Sequence, residues 1–347
     1  MKTKTAVVIL NWNGQPFLSQ FLPPLIRHTT MPDVTLIVAD NGSTDDSASF
    51  VQQTFPQIRW IGLDTNYGFT GGYNRALSQV EADYYVLLNS DVEVTENWLQ
   101  PLLSLMDNRP AAAVCAPKIR SFIRRNYFEY AGAAGGFIDR YGYPFCRGRI
   151  LHHIEEDTGQ YDTTRTVFWV SGACLLVRAA LYHRLGGLDE RFFAHMEEID
   201  FCWRIKQHGY EVICCPQSVV YHVGGGTLPV ETPFKLYLNY RNSLYMLYKN
   251  LPDRIRRRIL ATRFLLDGAS ALIYALQGKY SFVAAVWKAH RHFRQRRKQI
   301  RAGRLPEHNN TVSEIYQGSI LWQFYVKRNT HLRHTRRSAV AGRLPTI

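Results

Sequence analysis

Four short apolar runs alternate with helix-like segments in the first hundred residues, and no other feature limits the fold of this 347-residue chain as strongly. The runs are Ala6–Leu10, Thr35–Ala39, Ile58–Leu63 and Tyr84–Leu88. Strands that are apolar on both faces and separated by helices are typical of a parallel sheet covered on both sides. The sequence therefore predicts an α/β protein with a Rossmann-like, mostly parallel sheet.

Polar side chains follow each of the four runs. Asn11, Asp40, Asn66 and Asp91 stand at or just beyond the points where the predicted strands end. Ligands of open α/β sheets bind outside the carboxyl ends of the strands. One polar cluster would be an ordinary hydrophilic loop, whereas four clusters in register favour a ligand site at this edge.

The rest of the chain divides into an irregular stretch and a helical region. Between residues 115 and 226, strands are predicted at Phe168–Val177 and Glu211–Tyr221, with a helix at Glu197–His208. The helices predicted further on are Leu236–Lys249, Arg254–Gln277 and Phe282–Ile300. The change in texture predicts one domain over residues 1–230 and a basic helical region over residues 231–347, with Gly- and Pro-containing linker chemistry near 226–236.

Charge is distributed unevenly along the chain. Residues 1–235 hold 20 Lys and Arg against 24 Asp and Glu, whereas residues 236–347 hold 22 Lys and Arg against 4 Asp and Glu. Such asymmetry indicates an anionic partner for the C-terminal third. Nucleic acid is disfavoured, because no recognised nucleic-acid-binding motif accompanies the charge.

An apolar stretch over Phe264–Trp287 lies between two arginine-rich segments. This arrangement favours a pair of helices lying on an anionic membrane surface. Packed helices with solvated basic faces are the alternative. Because no run of 18 uncharged apolar residues occurs, no membrane-spanning helix is expected.

The six cysteines show no paired spacing, and most stand in apolar runs. Buried free thiols behave in this way, and they are typical of a reduced compartment. The N-terminal apolar run is too short for a signal peptide and has no small-residue cleavage site after it. We therefore expect a cytoplasmic protein.

Eight motifs occur in an order that resembles the family 2 nucleotide-sugar glycosyltransferases of the GT-A fold, especially their bacterial rhamnosyltransferase-like members. The motifs are residues 8–14 (Val-Ile-Leu-Asn-Trp-Asn-Gly), 38–45 (Val-Ala-Asp-Asn-Gly-Ser-Thr-Asp), 66–69 (Asn-Tyr-Gly-Phe), 87–91 (Leu-Leu-Asn-Ser-Asp), 169–174 (Trp-Val-Ser-Gly-Ala-Cys), 187–193 (Gly-Leu-Asp-Glu-Arg-Phe-Phe), 197–201 (Glu-Glu-Ile-Asp-Phe) and 221–222 (Tyr-His). The resemblance covers residues 5 to about 250. It implies a GT-A nucleotide-sugar-binding fold followed by a basic helical extension.

The resemblance implies a set of donor-binding residues at the strand ends and beyond. They are Asn11, Asn13, Gly14, Asp40, Asn66, Gly68, Asn74, Asn89, Asp91 and Arg241. Chemistry supports part of this set, since Asp40 can accept hydrogen bonds from a base or a ribose and Gly14 lets the backbone approach closely. The alternative for Asp40 is a carboxylate that caps a turn.

Asn89-Ser90-Asp91 stands where the family carries an Asp-x-Asp motif. Asp91 is the predicted ligand of a divalent cation, Mg²⁺ or Mn²⁺, because hard cations on diphosphates prefer carboxylate oxygen. Asn89 replaces the first Asp, so a site with two carboxylates is not expected. The resemblance adds His222 as a further metal contact, and a solvent-facing histidine is its alternative.

The resemblance places the catalytic base at Glu198 and an acceptor-binding surface at Trp169, Gly172 and Glu197. A helix over this acidic segment would put Glu197 and Asp200 on one face and pair Asp200 with Arg204 four residues on. The alternative for Glu198 is an acid that only stabilises the N-terminus of a helix. A core tryptophan is the alternative for Trp169.

These features predict an inverting, metal-dependent transferase that moves one sugar, rhamnose or another hexose, from a nucleoside-diphosphate sugar. The expected acceptor is a glycan or a polyprenyl-pyrophosphate-linked saccharide at the cytoplasmic face of a bacterial inner membrane. A polyanion- or nucleic-acid-binding protein with a degenerate nucleotide-binding body is the alternative, against which the retained acids count. A nucleotidyltransferase would carry a Gly-rich phosphate loop with a Lys near residue 14, and none occurs there.

Overall fold

A computed structural model of the chain describes residues 3–224, 232–302 and 312–332. The strands in these ranges are β1 (Thr3–Asn11), β2 (Val34–Asp40), β3 (Arg59–Gly62), β4 (Ala82–Asn89), β5 (Val92–Val94), β6 (Ala112–Ser121), β7 (Gly136–Asp139), β8 (Pro144–Cys146), β9 (Arg149–Ile150), β10 (His153–Ile154), β11 (Arg165–Thr166), β12 (Cys174–Arg178), β13 (Glu211–His222) and β14 (Ile315–Tyr316). The α-helices are α1 (Gln15–His28), α2 (Ser47–Thr54), α3 (Gly68–Leu77), α4 (Gln100–Asn108), α5 (Ala179–Arg184), α6 (Glu197–Gln207), α7 (Pro233–Asn250), α8 (Asp253–Leu276), α9 (Tyr280–Ala302) and α10 (Ile320–Tyr325).

A nine-stranded mixed sheet organises the N-terminal body. Eight strands follow the order β11-β13-β6-β12-β4-β1-β2-β3, and β5 pairs with β13. Strand β1 runs parallel to both β2 and β4, and β2 runs parallel to β3. The parallel arrangement predicted from the four apolar runs is confirmed, while β12 enters antiparallel between β4 and β6.

The two faces of this sheet are both buried, which explains the continuous apolar runs. Ala6 and Val8 of β1 pack into a core cluster on one face, whereas Val7 and Ile9 pack into the cluster on the other. Successive side chains of a strand point to opposite faces. A strand buried on both faces therefore needs an apolar residue at every position.

A second sheet, β10-β9-β8-β7-β14, lies within the stretch that sequence patterns left irregular and includes one strand from the C-terminal region. Most of its strands are only two to four residues long, too short to show an alternating pattern. Strand β12 also begins later than predicted, at Cys174 rather than Phe168. The predicted linker falls largely on residues 225–231, which lie outside the described ranges.

Helix α6 is joined to α7 by a buried cluster of charges. The Asp200 carboxylate accepts hydrogen bonds from Arg204 Nε at 2.9 Å, Lys249 Nζ at 2.8 Å and Asn250 Nδ2 at 2.7 Å. Lys249 Nζ also donates to Asp189 at 2.7 Å. The predicted pairing of Asp200 with Arg204 is therefore confirmed, and Lys249 ties the acidic helix to the C-terminal helices.

Lys249→Met is expected to lower the free energy of unfolding by about 3 kcal/mol, because it removes the shared cation from two buried carboxylates. Urea unfolding followed by circular dichroism measures the change. Lys4→Met is the matched control, since Lys4 pairs with Asp107 at the surface, where both side chains are 43% exposed. Its expected cost is under about 1 kcal/mol. Equal costs for the two variants would contradict a stabilising role for Lys249.

Candidate active site at the carboxyl edge of the sheet

The ends of three strands bring polar side chains together at one edge of the sheet. Asn11 is paired in register with Asp40 of β2, and Leu10 with Asn89 of β4. Asn11 Nδ2 donates to Asp40 Oδ1 at 2.9 Å. The predicted meeting of these strand ends is thus present in the structure.

The Asp40 carboxylate organises the turn that follows β2. Its Oδ2 accepts from the backbone N–H of Ser43 at 2.9 Å, and its Oδ1 accepts from Ser43 Oγ. Asn13 joins the same turn, since its Oδ1 accepts from the Thr44 N–H at 2.8 Å. These contacts are those of a turn-capping carboxylate.

Gly14 stands three residues after the end of β1 and caps the start of helix α1. A Cβ added at Gly14 would lie 2.5 Å from Asn11 Oδ1, a buried oxygen with no hydrogen-bond partner among the described residues. Buried acceptors without partners are rare in folded proteins. The Asn11 oxygen beside Gly14 therefore marks a place where a ligand donor can bind.

Asn66 and Gly68 shape the start of helix α3. Asn66 Oδ1 accepts from the Gly68 N–H at 2.8 Å and from Asn41 Nδ2 at 3.0 Å. Gly68 has a φ of +70°, and an added Cβ would lie 2.5 Å from the Phe193 ring. Gly68 thus permits a close approach between α3 and the loop that precedes α6.

Asp91 and His222 face each other where β4 and β13 end. Asp91 Oδ1 lies 3.1 Å from His222 Nε2, and both side chains are buried. On the other side of the ring, His222 Nδ1 lies 3.5 Å from Glu129 Oε1. The structure thus brings the two predicted metal ligands together and adds a second carboxylate behind the histidine.

The electrostatics of this group follow from its burial. Burial alone would lower the pKa of His222, but the carboxylates of Glu129 and Asp91 outweigh it and raise that pKa to about 10. Burial acts to raise the pKa of Asp91, yet the hydrogen bond and charge of His222 hold it below its usual value. The imidazolium here occupies the position of a cation between two carboxylates.

A histidine binds a metal only when it is deprotonated, so Asp91 and His222 can hold a divalent cation only if the cation displaces the imidazolium proton, and only together with other ligands. Among the described residues, no three His, Cys, Asp or Glu side chains are grouped as a metal site. Cations bound to nucleotide diphosphates use one or two protein ligands, with phosphate oxygens and water completing the shell. The two side chains fit that kind of site rather than a cage made wholly of protein.

Glu197 and Glu198 open helix α6; Glu197 is buried and Glu198 is partly exposed. Neither Glu197 Oε2 nor Glu198 Oε2 has a hydrogen-bond partner among the described residues. Burial raises the pKa of Glu198 to about 7, and burial together with the charge of Glu198 raises the pKa of Glu197 well above its ordinary value. A carboxyl group that titrates near neutral pH can take a proton from a hydroxyl.

The structure connects Glu198 to the strand-end edge through two residues. Gly172 lies against the acid, since a Cβ added there would be 3.9 Å from the Glu198 Cβ. The next residue, Ala173, accepts a hydrogen bond from the Asn89 N–H at 2.9 Å. Glu198 is therefore connected to the Asn89–Asp91 turn through the contacts of Gly172 and Ala173.

The loop before α6 is strained. Phe193, His195 and Met196 all have a positive φ, between 67° and 71°. Left-handed conformations of such residues cost energy and persist where the surroundings fix them. Asn242 of α7 supplies that restraint, because its Nδ2 lies within 3.0 Å of three carbonyl oxygens of the loop region.

Arg241 also restrains the loop before α6, and it does not contact the strand-end cluster. Its Nη2 donates to the Phe192 carbonyl at 2.7 Å, its Nη1 to Tyr237 Oη and its Nε to Asn242 Oδ1. The predicted donor contact is therefore corrected. A guanidinium buried among carbonyl and hydroxyl oxygens is satisfied by the protein itself.

Two further predicted site residues have structural roles. Asn74 Nδ2 donates to the Leu188 carbonyl at 2.8 Å, and its Oδ1 accepts from Tyr182 Oη at 2.7 Å, so this side chain holds a loop rather than a donor. Trp169 is only 3% exposed, packs on Gly136 and donates its Nε1–H to the Phe137 carbonyl. The core alternative for Trp169 is correct, and the predicted acceptor contact is wrong.

Sequence reasoning missed three residues of the site. Glu129 lies in the irregular stretch, where no motif indicates it. His195 is partly exposed, its buried Nε2 has no partner among the described residues, and desolvation and nearby Lys235 lower its pKa to about 4. Asn242 stands in a motif, Asn239–Asn242, that drew attention only to its arginine.

Solved structures of glycosyltransferases share the architecture described above. The Staphylococcus aureus TarS 1-349 structure in complex with UDP-GlcNAc matches with a TM-score of 0.54 at 14% identity, over 91% of this chain and 99% of that one. GalNAc-T7 with UDP, GalNAc and Mn²⁺ matches with a TM-score of 0.55 at 14% identity, over 72% of this chain and 48% of that one. This chain thus spans about half the length of the GalNAc-T7 structure. The fold is that of the GT-A glycosyltransferases, as predicted.

Sequence comparison assigns the family. The family model for glycosyl transferase family 2 matches residues 6–186, and the chain belongs to that family. An N-acetylglucosaminyl-diphospho-decaprenol L-rhamnosyltransferase of Mycobacterium tuberculosis is 27% identical over 230 residues, which cover 62% of this chain and 75% of the relative. The predicted resemblance to rhamnosyltransferase-like members is confirmed.

Proposed function

We propose that this family 2 glycosyltransferase moves a single sugar, rhamnose or another hexose, from a nucleoside-diphosphate sugar to a lipid-linked saccharide, with inversion at the anomeric carbon. The observation that carries the proposal is the partly exposed carboxyl group of Glu198 at the start of α6. Its Oε2 has no hydrogen-bond partner among the described residues. Contacts of Gly172 and Ala173 link it in space to the Asn89–Asp91 turn. A base in that position suits an acceptor hydroxyl.

The chemistry follows from these positions. Glu198 accepts the proton of the acceptor hydroxyl, whose oxygen attacks the anomeric carbon as the bond from that carbon to the diphosphate oxygen breaks. Attack from the side opposite the leaving group gives inversion. The low polarity around Glu198, which raises its pKa to about 7, supports its role as a base near neutral pH.

The donor is proposed to bind across the strand ends. Asn11, Asn13 and Gly14 would face the nucleobase of the donor, and Asp40 would hold the turn that shapes this part of the site. Asn66 and Gly68 would border it, and Asn89 would bind the ribose. Asp91 and His222 would hold a Mg²⁺ or Mn²⁺ ion, which neutralises charge on the leaving diphosphate when bound.

The acceptor is proposed to approach Gly172 and Glu197, next to the base. A polyprenyl-pyrophosphate-linked saccharide is supported by the printed name of the mycobacterial relative, which refers to a diphospho-decaprenol compound. Such an acceptor places the enzyme at the cytoplasmic face of an anionic membrane, in the assembly of a cell-surface polysaccharide. The division into a catalytic domain, 1–230, and a membrane-associating region, 231–347, belongs to the same proposal.

The purified chain is expected to transfer sugar from one member of a panel of dTDP-, UDP- and GDP-sugars to a polyprenyl-diphosphate saccharide. Product stereochemistry by NMR should show an inverted anomeric centre, and EDTA should abolish transfer. The productive donor should also raise the melting temperature, since a ligand at 100 times its Kd stabilises by about 2.7 kcal/mol. A retained anomeric configuration would overturn the base assignment, and transfer unaffected by EDTA would overturn the metal.

A further inference from the structure

We infer that the hairpin formed by α8 and α9 inserts its tip into one leaflet of an anionic lipid bilayer. The tip consists of residues 268–287, which join the two helices and contain a single charged residue, Lys279. The inference rests on the proposed function only for its purpose, which is to bring the site to a lipid-linked acceptor. Its evidence is the exposed surface of the hairpin.

An uninterrupted apolar face runs along α8. Leu265, Leu272 and Leu276 are 76%, 62% and 81% exposed, and Gly268 and Ala269 lie between them on the same exposed face. Exposed helix faces in water normally carry charged and polar side chains. Contiguous apolar patches on a protein surface mark sites that bind a partner or a membrane.

The apolar face continues on α9. Tyr280 is 72% exposed and Trp287 is 63% exposed, seven residues apart and therefore on one side of the helix. The Arg291 guanidinium lies 5.4 Å from the centre of the Trp287 ring. Tryptophan and tyrosine beside a basic residue are typical of the interface between headgroups and acyl chains.

Positive charge surrounds the base of the hairpin and is largely absent from its tip. Residues 253–302 hold 13 Lys and Arg against two Asp. The exposed basic side chains at the base are Arg254, Arg257, Arg258, Arg294, Arg296, Arg297 and Lys298. The apolar tip complements the acyl chains of an anionic leaflet, and the positively charged end of the hairpin complements its headgroups. A second copy of the hairpin would carry the same positive charge, so these features favour a bilayer as the partner.

The dimensions favour insertion into one leaflet rather than a span. Helix α8 is long and apolar enough to cross a membrane, contrary to the expectation of no such helix, and only 17% of its most apolar stretch is buried. Its apolar face, however, extends only from Leu265 to Leu276, about 17 Å of helix. That length matches half of a hydrocarbon core of about 30 Å.

Buried contacts hold the hairpin closed on the body. Asp267 is fully buried and lies 3.0 Å from His290 Nε2 of α9 and 3.4 Å from Arg263 Nε. The Arg263 Nη1 donates to Ser243 Oγ of α7 at 2.9 Å. Helix α8 is thus fixed to two neighbours and cannot cross a bilayer alone without breaking these contacts. The single charge of the tip, Lys279, has a long side chain that can extend toward the headgroups while its methylene groups stay among the acyl chains.

Co-flotation of the full chain with vesicles tests the inference. The wild type should float with vesicles of phosphatidylcholine and 30% phosphatidylglycerol, with less binding to phosphatidylcholine alone and in high salt. Leu272→Glu with Leu276→Glu should lower the vesicle partition coefficient at least about tenfold, since acidic groups would have to enter the acyl region. Arg257→Glu with Arg258→Glu should lower it about 25-fold, at about fivefold per lost headgroup contact.

Ile123→Glu is the matched control, because Ile123 is 77% exposed but lies outside the hairpin. It should float like the wild type. Brominated lipids should quench fluorescence in the wild type, and Trp287→Phe should remove part of that quenching. Equal flotation of the Leu272 and Leu276 variant, or a wild-type dimer that this variant dissociates while neither protein floats, would overturn the inference.

Donor-induced melting shifts are measured on the same proteins without lipid. A chain that floats but binds no nucleotide sugar would keep the membrane hairpin and overturn the proposed function. A chain that binds donor but does not float would do the reverse. Recovery of the wild type in the carbonate-resistant membrane fraction would replace one-leaflet insertion by a span and overturn the proposed geometry.

Discussion

Glu198→Gln is expected to lower kcat by about 10²–10⁴-fold while leaving the donor Kd nearly unchanged, because it removes the proton acceptor and keeps the shape of the side chain. Transfer kinetics at saturating donor measure kcat, and isothermal titration with nucleotide measures Kd. The wild-type rate should fall as the pH drops below about 7, since only the ionised Glu198, whose pKa burial raises to about 7, accepts a proton. This acidic limb should be absent from the residual activity of the variant.

Glu197→Gln provides the matched control for this prediction. Both residues stand at the start of α6, but Glu197 is buried, whereas Glu198 is partly exposed and lies against Gly172. Because the proposed proton transfer runs through Glu198, the change at Glu197 should cost far less in kcat than the change at Glu198. A dead Glu197→Gln enzyme beside an active Glu198→Gln enzyme would exchange the two roles.

The sheet and its strand ends could be predicted because burial on both faces leaves a direct trace in the sequence. Continuous apolar runs inside β1, β2 and β4 identify the strands, and the polar residues after these runs mark where the strands end. The pairing of Asp200 with Arg204 was predictable for a similar reason, since helical spacing alone puts these residues together.

Contacts between distant segments explain the wrong predictions. Arg241 and Asn74 were expected at the donor, but each meets its partners only after the loop over residues 187–196 has folded against α3 and α7. Trp169 precedes β12 instead of lying within it, and its ring is buried against Gly136, 33 residues away in the chain. A motif identifies a residue type but not the partner that the fold brings to it.

The second sheet and Glu129 were hidden for related reasons. Strands of two or three residues have no measurable period, so β9, β10 and β14 resemble loops. Glu129 approaches His222 across 93 positions of sequence, through an irregular segment without a motif. Only the folded chain shows that the predicted metal contact has a carboxylate behind it, an arrangement that orients histidine ligands.

Asp91→Asn is expected to lower metal-dependent transfer at least about 10²-fold, because several kcal/mol of charge stabilisation at the leaving diphosphate would be lost. The wild type treated with EDTA should fall to the level of the untreated variant. Titration of Mn²⁺ into protein with saturating nucleoside diphosphate should show weaker binding, a readout that does not depend on turnover. Urea unfolding of the variant without metal should stay within about 1–3 kcal/mol of the wild type, the cost of one lost buried hydrogen bond to His222.

Asp64→Asn is the matched control, since Asp64 is an exposed carboxylate in the loop between β3 and α3, on the same side of the sheet as the strand ends. Its carboxylate accepts a hydrogen bond from Tyr67 Oη at 2.9 Å, so it does not share the contact of Asp91 with His222. Losing one surface charge there should leave both Mn²⁺ affinity and transfer within about twofold of the wild type, because solvent screens the site from it. Unchanged Mn²⁺ affinity in Asp91→Asn, or equal losses in the two variants, would show that general negative charge rather than the Asp91–His222 pair attracts the cation.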